Sequence, residues 1–399
     1  MSGVRLVHLS DLHLGFRQYH RQTPTGMNQR EADVAATFSR AIDRIIALAP
    51  ELVVIGGDVF HTVRPTNTAI LHAVREFGRL HAALPATVVV IAAGNHDMPR
   101  STESTGILRL LERPDRCHIA DRAPLRVTLP HRDCAVLAVP DLPPGTVELT
   151  PDPSARHNVL VMHGEVPGIV PAGAAADRAA MQIPLAAVTQ PGWDYVALGH
   201  YHVYRRIADH VYYSGSIDYT STNPWGELAE ERATKLPGKG FIERDLTTGK
   251  QTFHPLVPAR PVLDLPPIDG RGLSAEGLDA AIQRAIARIP DGIDGKIVRV
   301  VGHQVPRHIA RALDHRVLRE LARRATHLHL DLRRPDLVRP RAALAPGRRP
   351  SLDETLRSTL LSRALPAGLA REALVALGMH YLDAAEPIEP VRGLAGEET

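Results

Sequence analysis

Five short apolar runs in this chain each end in side chains of the metal-ligand type. Residues 4–9 run into Asp11 and His13, and 52–55 into Asp58. Residues 88–92 run into Asn95, His96 and Asp97, 159–162 into His163, and 195–198 into Gly199-His200-Tyr201-His202. Runs this short and this rich in Val, Ile and Leu read as buried strands. In layered α/β folds, chemistry sits just past the carboxyl ends of such strands. One isolated Asp-x-His would mean little. Five ordered blocks of hard donors, each at a strand exit, imply one shared metal centre.

The segments between the blocks predict the frame. Residues 28–48 place Val34, Phe38, Ala41, Ile42, Ile45 and Ile46 at helical spacing, and Pro50 stops the pattern. Residues 66–84 repeat it with Ile70, Val74, Phe77 and Leu80, stopped by Pro85. After about residue 115 the segments shorten and read as strands, at 126–129, 135–139, 211–214, 240–246 and 251–257. Parallel-type units followed by antiparallel-type strands predict a two-sheet sandwich flanked by helices.

Prolines at 255, 258, 261, 266 and 267 mark a boundary. Beyond it, helix patterns at 275–289 and 309–324 alternate with strand patterns at 296–301 and 327–332, a small α/β module. A Pro- and Arg-rich linker follows at 335–350. Then Leu352, Leu356, Leu360, Leu369, Ala373, Leu374 and Leu377 fall on helical stripes. The acidic end, 385–399, reads as disordered. The expected domains are 1–258, 259–334, the linker 335–350, a helical segment 351–384 and the tail.

No apolar stretch approaches the roughly 20 residues of a membrane helix. The first apolar run is broken by His8, Ser10 and Asp11, unlike a secretion signal. The only cysteines, Cys117 and Cys134, form neither a disulfide framework nor a paired metal motif. These features lead to the expectation of a cytoplasmic protein. Net charge is only +3, yet residues 303–349 carry 12 Arg against four acidic residues. A basic segment suits phosphate backbones. An arginine-rich compositional habit, in a chain with just four lysines, accounts for it equally well.

Asp11, His13, Asp58, Asn95, His163, His200 and His202 make seven candidate ligands. One ion takes about four to six, so seven fit two ions sharing a bridge. Asp58 is the expected bridge, because its carboxylate has two oxygens and Gly56-Gly57 permits close backbone approach. Oxygen and imidazole donors without thiolates suit manganese, iron or zinc and disfavour a structural zinc site. Two ions about 3.5–4 Å apart can clamp the attacking and leaving oxygens of a phosphate.

In this order, Asp-x-His, Gly-Gly-Asp, Gly-Asn-His-Asp, His-Gly and Gly-His-x-His resemble the calcineurin-like metallophosphoesterase superfamily. Ser10-Asp11-Leu12-His13-Leu14-Gly15, Gly57-Asp58-Val59-Phe60-His61, Tyr213-Ser214-Gly215-Ser216-Ile217, and Gly238-Lys239-Gly240-Phe241 after Glu227 resemble its SbcD-type DNA repair nucleases. The resemblance implies a four-layer α-β-β-α sandwich, with a capping α/β domain and a helical tail that docks an SMC-like, SbcC-type coiled-coil ATPase. It implies one ion, typically manganese, on Asp11, His13, Asp58 and His202. It implies a second on Asp58, Asn95, His163 and His200. His96 corresponds to the residue that protonates the leaving oxygen or stabilises the phosphate, with Asp97 behind it as orienter. His61 corresponds to a histidine that places DNA.

The leading expectation is a two-metal DNA exonuclease with single-strand endonuclease activity, working as a homodimer at the nucleoid. A phosphatase or cyclic-nucleotide phosphodiesterase would use the same ions. His61, the capping module and the tail argue against it. A scaffold without activity is opposed by the presence of all seven ligands. The Gly- and Ala-rich stretch 167–181 matches no motif; it could shape access past His163 or be a passive loop.

Overall fold

The computed structural model describes residues 3–98, 106–143, 148–169, 179, 181–335, 351–362 and 370–384. The strands and helices of residues 3–255 are, in chain order, β1 Arg5–Leu9, α1 Gln29–Leu48, β2 Leu52–Ile55, α2 Asn67–Ala83, β3 Val88–Ala92, β4 Cys117–Ala120, β5 Leu125–Leu129, β6 Cys134–Val139, β7 His157–His163, α3 Leu185–Thr189, β8 Tyr195–Gly199, β9 Arg205–Ala208, β10 Val211–Tyr213, α4 Pro224–Thr234, β11 Gly240–Asp245 and β12 Gln251–Pro255.

Each of the five apolar runs forms a strand. Asn28 and Thr66 cap the two long helices, accepting from the Arg30 and Ala69 amides at 3.0 and 3.1 Å. The first sheet has the order β12-β11-β1-β2-β3-β4, and the second β5-β6-β7-β8-β10-β9. Strands β1 to β4 are mutually parallel, and β11 returns antiparallel beside β1.

Alternation along these strands builds two cores. Val7, Leu9, Val53, Ile55, Val89 and Ile91 face α1 and α2, where Val34, Phe38, Ile42, Ile45, Phe77 and Leu80 meet them. Leu6, Leu52, Val54, Val90 and Ala92 face the second sheet, against Val136, Ala138, Val159, Val161 and Ala197. Burial on both faces is why the strands read as unbroken apolar runs.

The second sheet departs from expectation. Its centre, β6-β7-β8-β10, is parallel, and only the edge strands β5 and β9 run antiparallel. Parallel neighbours need crossovers, usually helical. Here the connection before β7 has no described helix, and the one before β8 has only the five-residue α3. The helical periodicity that marks a parallel unit is therefore missing from the sequence. Among the described residues, Val166, Met181, Ile183, Val188 and Trp193 cover the outer face of β6, β7 and β8.

The module after residue 258 consists of β13 Val262–Asp264, β14 Ile268–Asp269, α5 Ala275–Ala287, β15 Ile297–His303, α6 Arg307–Arg311, α7 His315–Arg324 and β16 His327–Leu332. All its strand pairs are parallel, with β15 central. The continuous helix expected at 309–324 is broken, because the Asp314 carboxylate accepts from the Arg316 and Val317 amides and starts a new helix. Even-numbered Val298, Val300, Leu328 and Leu330 join Leu278, Ile282 and Ile286 of α5. Odd-numbered residues face the first domain. His327 stacks on Tyr19 at 3.9 Å, and Arg299 lies 5.2 Å from the Trp225 ring. Arg260 grips Asp33 through Nε at 2.6 Å and Nη2 at 3.0 Å, and Asp33 also pairs with fully buried Arg30.

A separate unit begins after Pro335. Within it, α8 Leu352–Ser362 and α9 Arg371–Ala384 pack together at Gly378. The linker past Pro335, Leu369, the tail 385–399 and most of 167–181 lie outside the described residues.

Between the sheets, His8 shares a 3.0 Å hydrogen bond with the Tyr195 hydroxyl, and burial pushes its pKa down to about 3. The unfolded chain therefore binds a proton there between pH 6.5 and 3 that the folded chain refuses, so stability falls as pH drops through that window. The double variant His8→Leu, Tyr195→Phe is expected to lose stability less steeply on acidification. The difference, up to about 1.4 kcal/mol per pH unit, is measured by urea unfolding at pH 7 and 5.

Candidate metal centre

Backbone bonds zip the loop after β1 to the loop after β2. The Asp11 amide donates to the Gly57 carbonyl at 3.0 Å, His13 to Asp58 at 2.9 Å, and His61 to Leu14 at 3.0 Å. Asp11, His13, Asp58 and His200 all adopt left-handed backbone, with φ of 52, 46, 51 and 104°. Such residues cost about 1–3 kcal/mol each and persist only where their surroundings enforce them.

The side chains converge. Asp58 Oδ2 lies 3.7 Å from His13 Nε2 and 3.6 Å from His163 Nε2. His13 Nε2 is 3.0 Å from His202 Nε2, which is 3.9 Å from Asp11 Oδ1. His163 Nε2 is 2.9 Å from Asn95 Oδ1, while its Nδ1 donates to the Gly56 carbonyl at 2.7 Å. That bond leaves the Nε2 lone pair facing Asp58. The His200 amide donates to Asp11 Oδ1 at 3.1 Å, and its ring sits 5.4 Å from that of His163. All seven sequence-derived ligands thus meet in one place.

The donors suit divalent ions. Asp11, His13 and His202 form one group whose ligand atoms lie within 4.8 Å of each other, and Asp11, Asp58 and His163 form another. His200 Nε2 is buried with no hydrogen-bond partner among the described residues. Two imidazole nitrogens 3.0 Å apart need a shared proton or a shared cation. Burial, then the neighbouring histidines, hold His13 far below its ordinary pKa. Burial, then His163, lower His200 to about 3. Neutral imidazole is the ligating form.

His61 and His96 line one side of the cluster. Their rings stack at 5.3 Å, and His61 Nδ1 is 3.3 Å from His13 Nδ1.

Residues 4–204 match the sequence profile of the calcineurin-like phosphoesterases. The chain belongs to that family. Among curated relatives, it is 30% identical over 209 residues to the DNA double-strand break repair protein Mre11 of Sulfolobus acidocaldarius, covering 51% of this chain and 50% of that protein. It is 27% identical over 256 residues to the protein of that name from Methanocaldococcus jannaschii, covering 61% and 63%. For the Methanopyrus kandleri protein, identity is 26% over 320 residues, covering 75% and 64%. The chain thus spans between half and two thirds of the length of these relatives. The matched residues include all seven donors of the cluster.

Asp97 behaves differently from expectation. Its oxygens accept from the Val59, Phe60 and Gly94 amides at 3.1, 2.9 and 3.1 Å, locking the β2 loop to the β3 loop. His96 Nδ1 instead bonds the His61 carbonyl at 2.7 Å. Burial, then the Asp58 charge, raise Asp97 to about 7.

Sequence reasoning gave no role to the layer behind His202. Lys239 is buried, donates to the His202 carbonyl at 2.8 Å, and pairs with Glu227 and, at 3.4 Å, Glu231. Burial alone would raise Glu227, but Lys239 and His202 outweigh it and hold its carboxyl at about 2. One signal was available: a chain with only four lysines places one in Gly-Lys-Gly-Phe.

A Cβ at Gly94 would stand 2.1 Å from Asp58 Oδ1 and 2.6 Å from the Asp58 nitrogen. Gly94→Ala is therefore expected to displace Asp58. Elemental analysis after manganese loading and desalting should find less than half the wild-type metal; unchanged stoichiometry would contradict this geometry.

Proposed function

We propose that this chain is the nuclease subunit of a DNA repair assembly. It would be a two-metal, manganese-dependent exonuclease with single-strand endonuclease activity. The observation that carries the proposal is the position of Asp58 Oδ2 between His13 Nε2 and His163 Nε2, with the His61–His96 pair beside it. Asp11, His13, Asp58 and His202 would hold one ion, and Asp58, Asn95, His163 and His200 the other. When bound, the pair supplies Lewis-acid polarisation of a phosphodiester and activation of water at neutral pH.

The chain's own residues do the rest. His96 donates its Nδ1–H to the His61 carbonyl, which leaves Nε2, when it too is protonated, to deliver that second proton to the leaving oxygen. His61, held by its amide to Leu14, positions the strand being cut. Asp97 keeps the two loops in register, so His96 and Asp58 hold a fixed separation.

DNA as substrate is supported by the relatives' designation as double-strand break repair proteins and by exposed Arg316, Arg319 and Arg323 on α7. For partners, the α8–α9 pair exposes Leu352, Leu361, Leu377 and Tyr381, a surface suited to a coiled-coil ATPase. A homodimer in the cytoplasm, at the nucleoid, completes the reading. Among the described residues, no helix is long and apolar enough to cross a membrane.

With manganese, the purified protein is expected to shorten linear duplex DNA. His96→Ala should retain its metal and lose at least about 100-fold in rate. Cleavage limited to p-nitrophenyl phosphate or cyclic nucleotides would replace the repair reading with the phosphatase one. Separately, a chain ending at residue 350 is expected to stop co-purifying with the ATPase encoded in the same genome while keeping its nuclease activity; retained co-purification would remove the docking role of α8 and α9.

A further inference from the structure

Behind the ligand cluster, two buried polar atoms face each other with no other partner among the described residues. They are His202 Nδ1 and Glu227 Oε1, 3.6 Å apart. His202 Nε2 points the other way, towards His13 and Asp11. A neutral imidazole that offers Nε2 as a lone pair must carry its proton on Nδ1. That proton needs an acceptor, and Glu227 Oε1 lies 3.6 Å from Nδ1.

Glu227 is itself anchored. Its other oxygen pairs with Lys239, whose Nζ lies 3.4 Å from Glu231 and 4.6 Å from the centre of the Tyr219 ring. The Tyr219 hydroxyl closes the circuit on Glu231 at 2.7 Å. Lys239 also donates to the His202 carbonyl at 2.8 Å, so the same cation fixes the backbone of the ligand and the carboxylate behind its ring. In a chain with only four lysines, an ammonium rather than a guanidinium fills this position. A compact cation with three donors can serve Glu227, Glu231 and a carbonyl together.

We infer that Glu227 is a positioning residue: it orients His202 and selects its Nδ1–H tautomer, so that Nε2 stays available to the metal, while Lys239 holds Glu227 in place. Carboxylates behind ligating histidines commonly serve in this way, and their loss weakens metal binding by about 10–100-fold. The inference rests on the two-metal reading above.

Two variants that keep Lys239, with its donation to the His202 carbonyl and its pairing with Glu231, separate this role from simple charge compensation. Glu227→Leu removes the charge and the acceptor. Glu227→Gln removes the charge but keeps an oxygen able to accept from Nδ1–H. Calorimetric titration of metal-free full-length protein with manganese is expected to show two sites in the wild type. One site should weaken about 10–100-fold in the Leu variant, and both should stay within about threefold of wild type in the Gln variant. Wild-type affinity in both variants would overturn the inference, leaving Glu227 as a counter-ion for Lys239. Equal loss in both would also overturn it, by assigning the effect to the lost charge. If the wild type binds no manganese, the two-metal reading itself fails. Should the Leu variant not fold, the His202 ring nitrogens of the metal-free wild type decide, observed with histidine-selective nitrogen-15 labelling and assigned with His202→Gln. The Nδ1–H form is expected, and an Nε2–H form would overturn the inference.

Discussion

The Asp58 carboxylate is fixed by protein contacts alone, and the rest of the site is arranged around it. Its Oδ1 accepts the His96 amide at 2.9 Å, its backbone is strapped to His13, and Gly94 yields the space it occupies. Oδ2 is left to face two imidazoles from different sheets. Packing Asp58 against His163 therefore requires β2 and β7 to meet across the sandwich. The apolar layer of Val54, Val90, Val136, Val159 and Ala197 holds those sheets together. Stability and site geometry share this layer: loosening it would change the spacing between the two halves of the ligand set.

Much of this was legible in the residues. Strands buried on both faces announce themselves as apolar runs, and donors at their exits announce a site. The two apolar periodicities gave helices α1 and α2, and the structure shows Asn28 and Thr66 capping their first turns. Other features carried no local signal. The parallel order of β6, β7, β8 and β10 escaped notice because no long helix lies among the described residues of its crossovers. The break before α7 depended on one aspartate choosing a cap over a helix interior. Asp97 beside His96 suggested a pair, but chain adjacency says nothing about which way two side chains point, and three amides claim its oxygens.

The cap illustrates the same limit in reverse. One face of its sheet packs against α5, and on the other His327 and Arg299 meet Tyr19 and Trp225, while Arg260 reaches Asp33. Aromatic and guanidinium groups can cover an interface without long apolar runs, so the docking face reads as ordinary polar sequence. Helix α4 lies at this junction, with Trp225 and Leu228 towards the cap and Glu227 towards His202.

The four left-handed ligand positions have a consequence for how such a site changes over generations. Asn, Asp and His tolerate that backbone better than other residues with side chains, and they are also metal donors. At Asp11, His13, Asp58 and His200 the conformation and the chemistry therefore favour the same short list of residue types. A lineage that ceased to need the ions would still meet a folding penalty on replacing these side chains with most alternatives. The backbone acts as a second custodian of the donors, and purifying selection on the fold alone would slow their erosion.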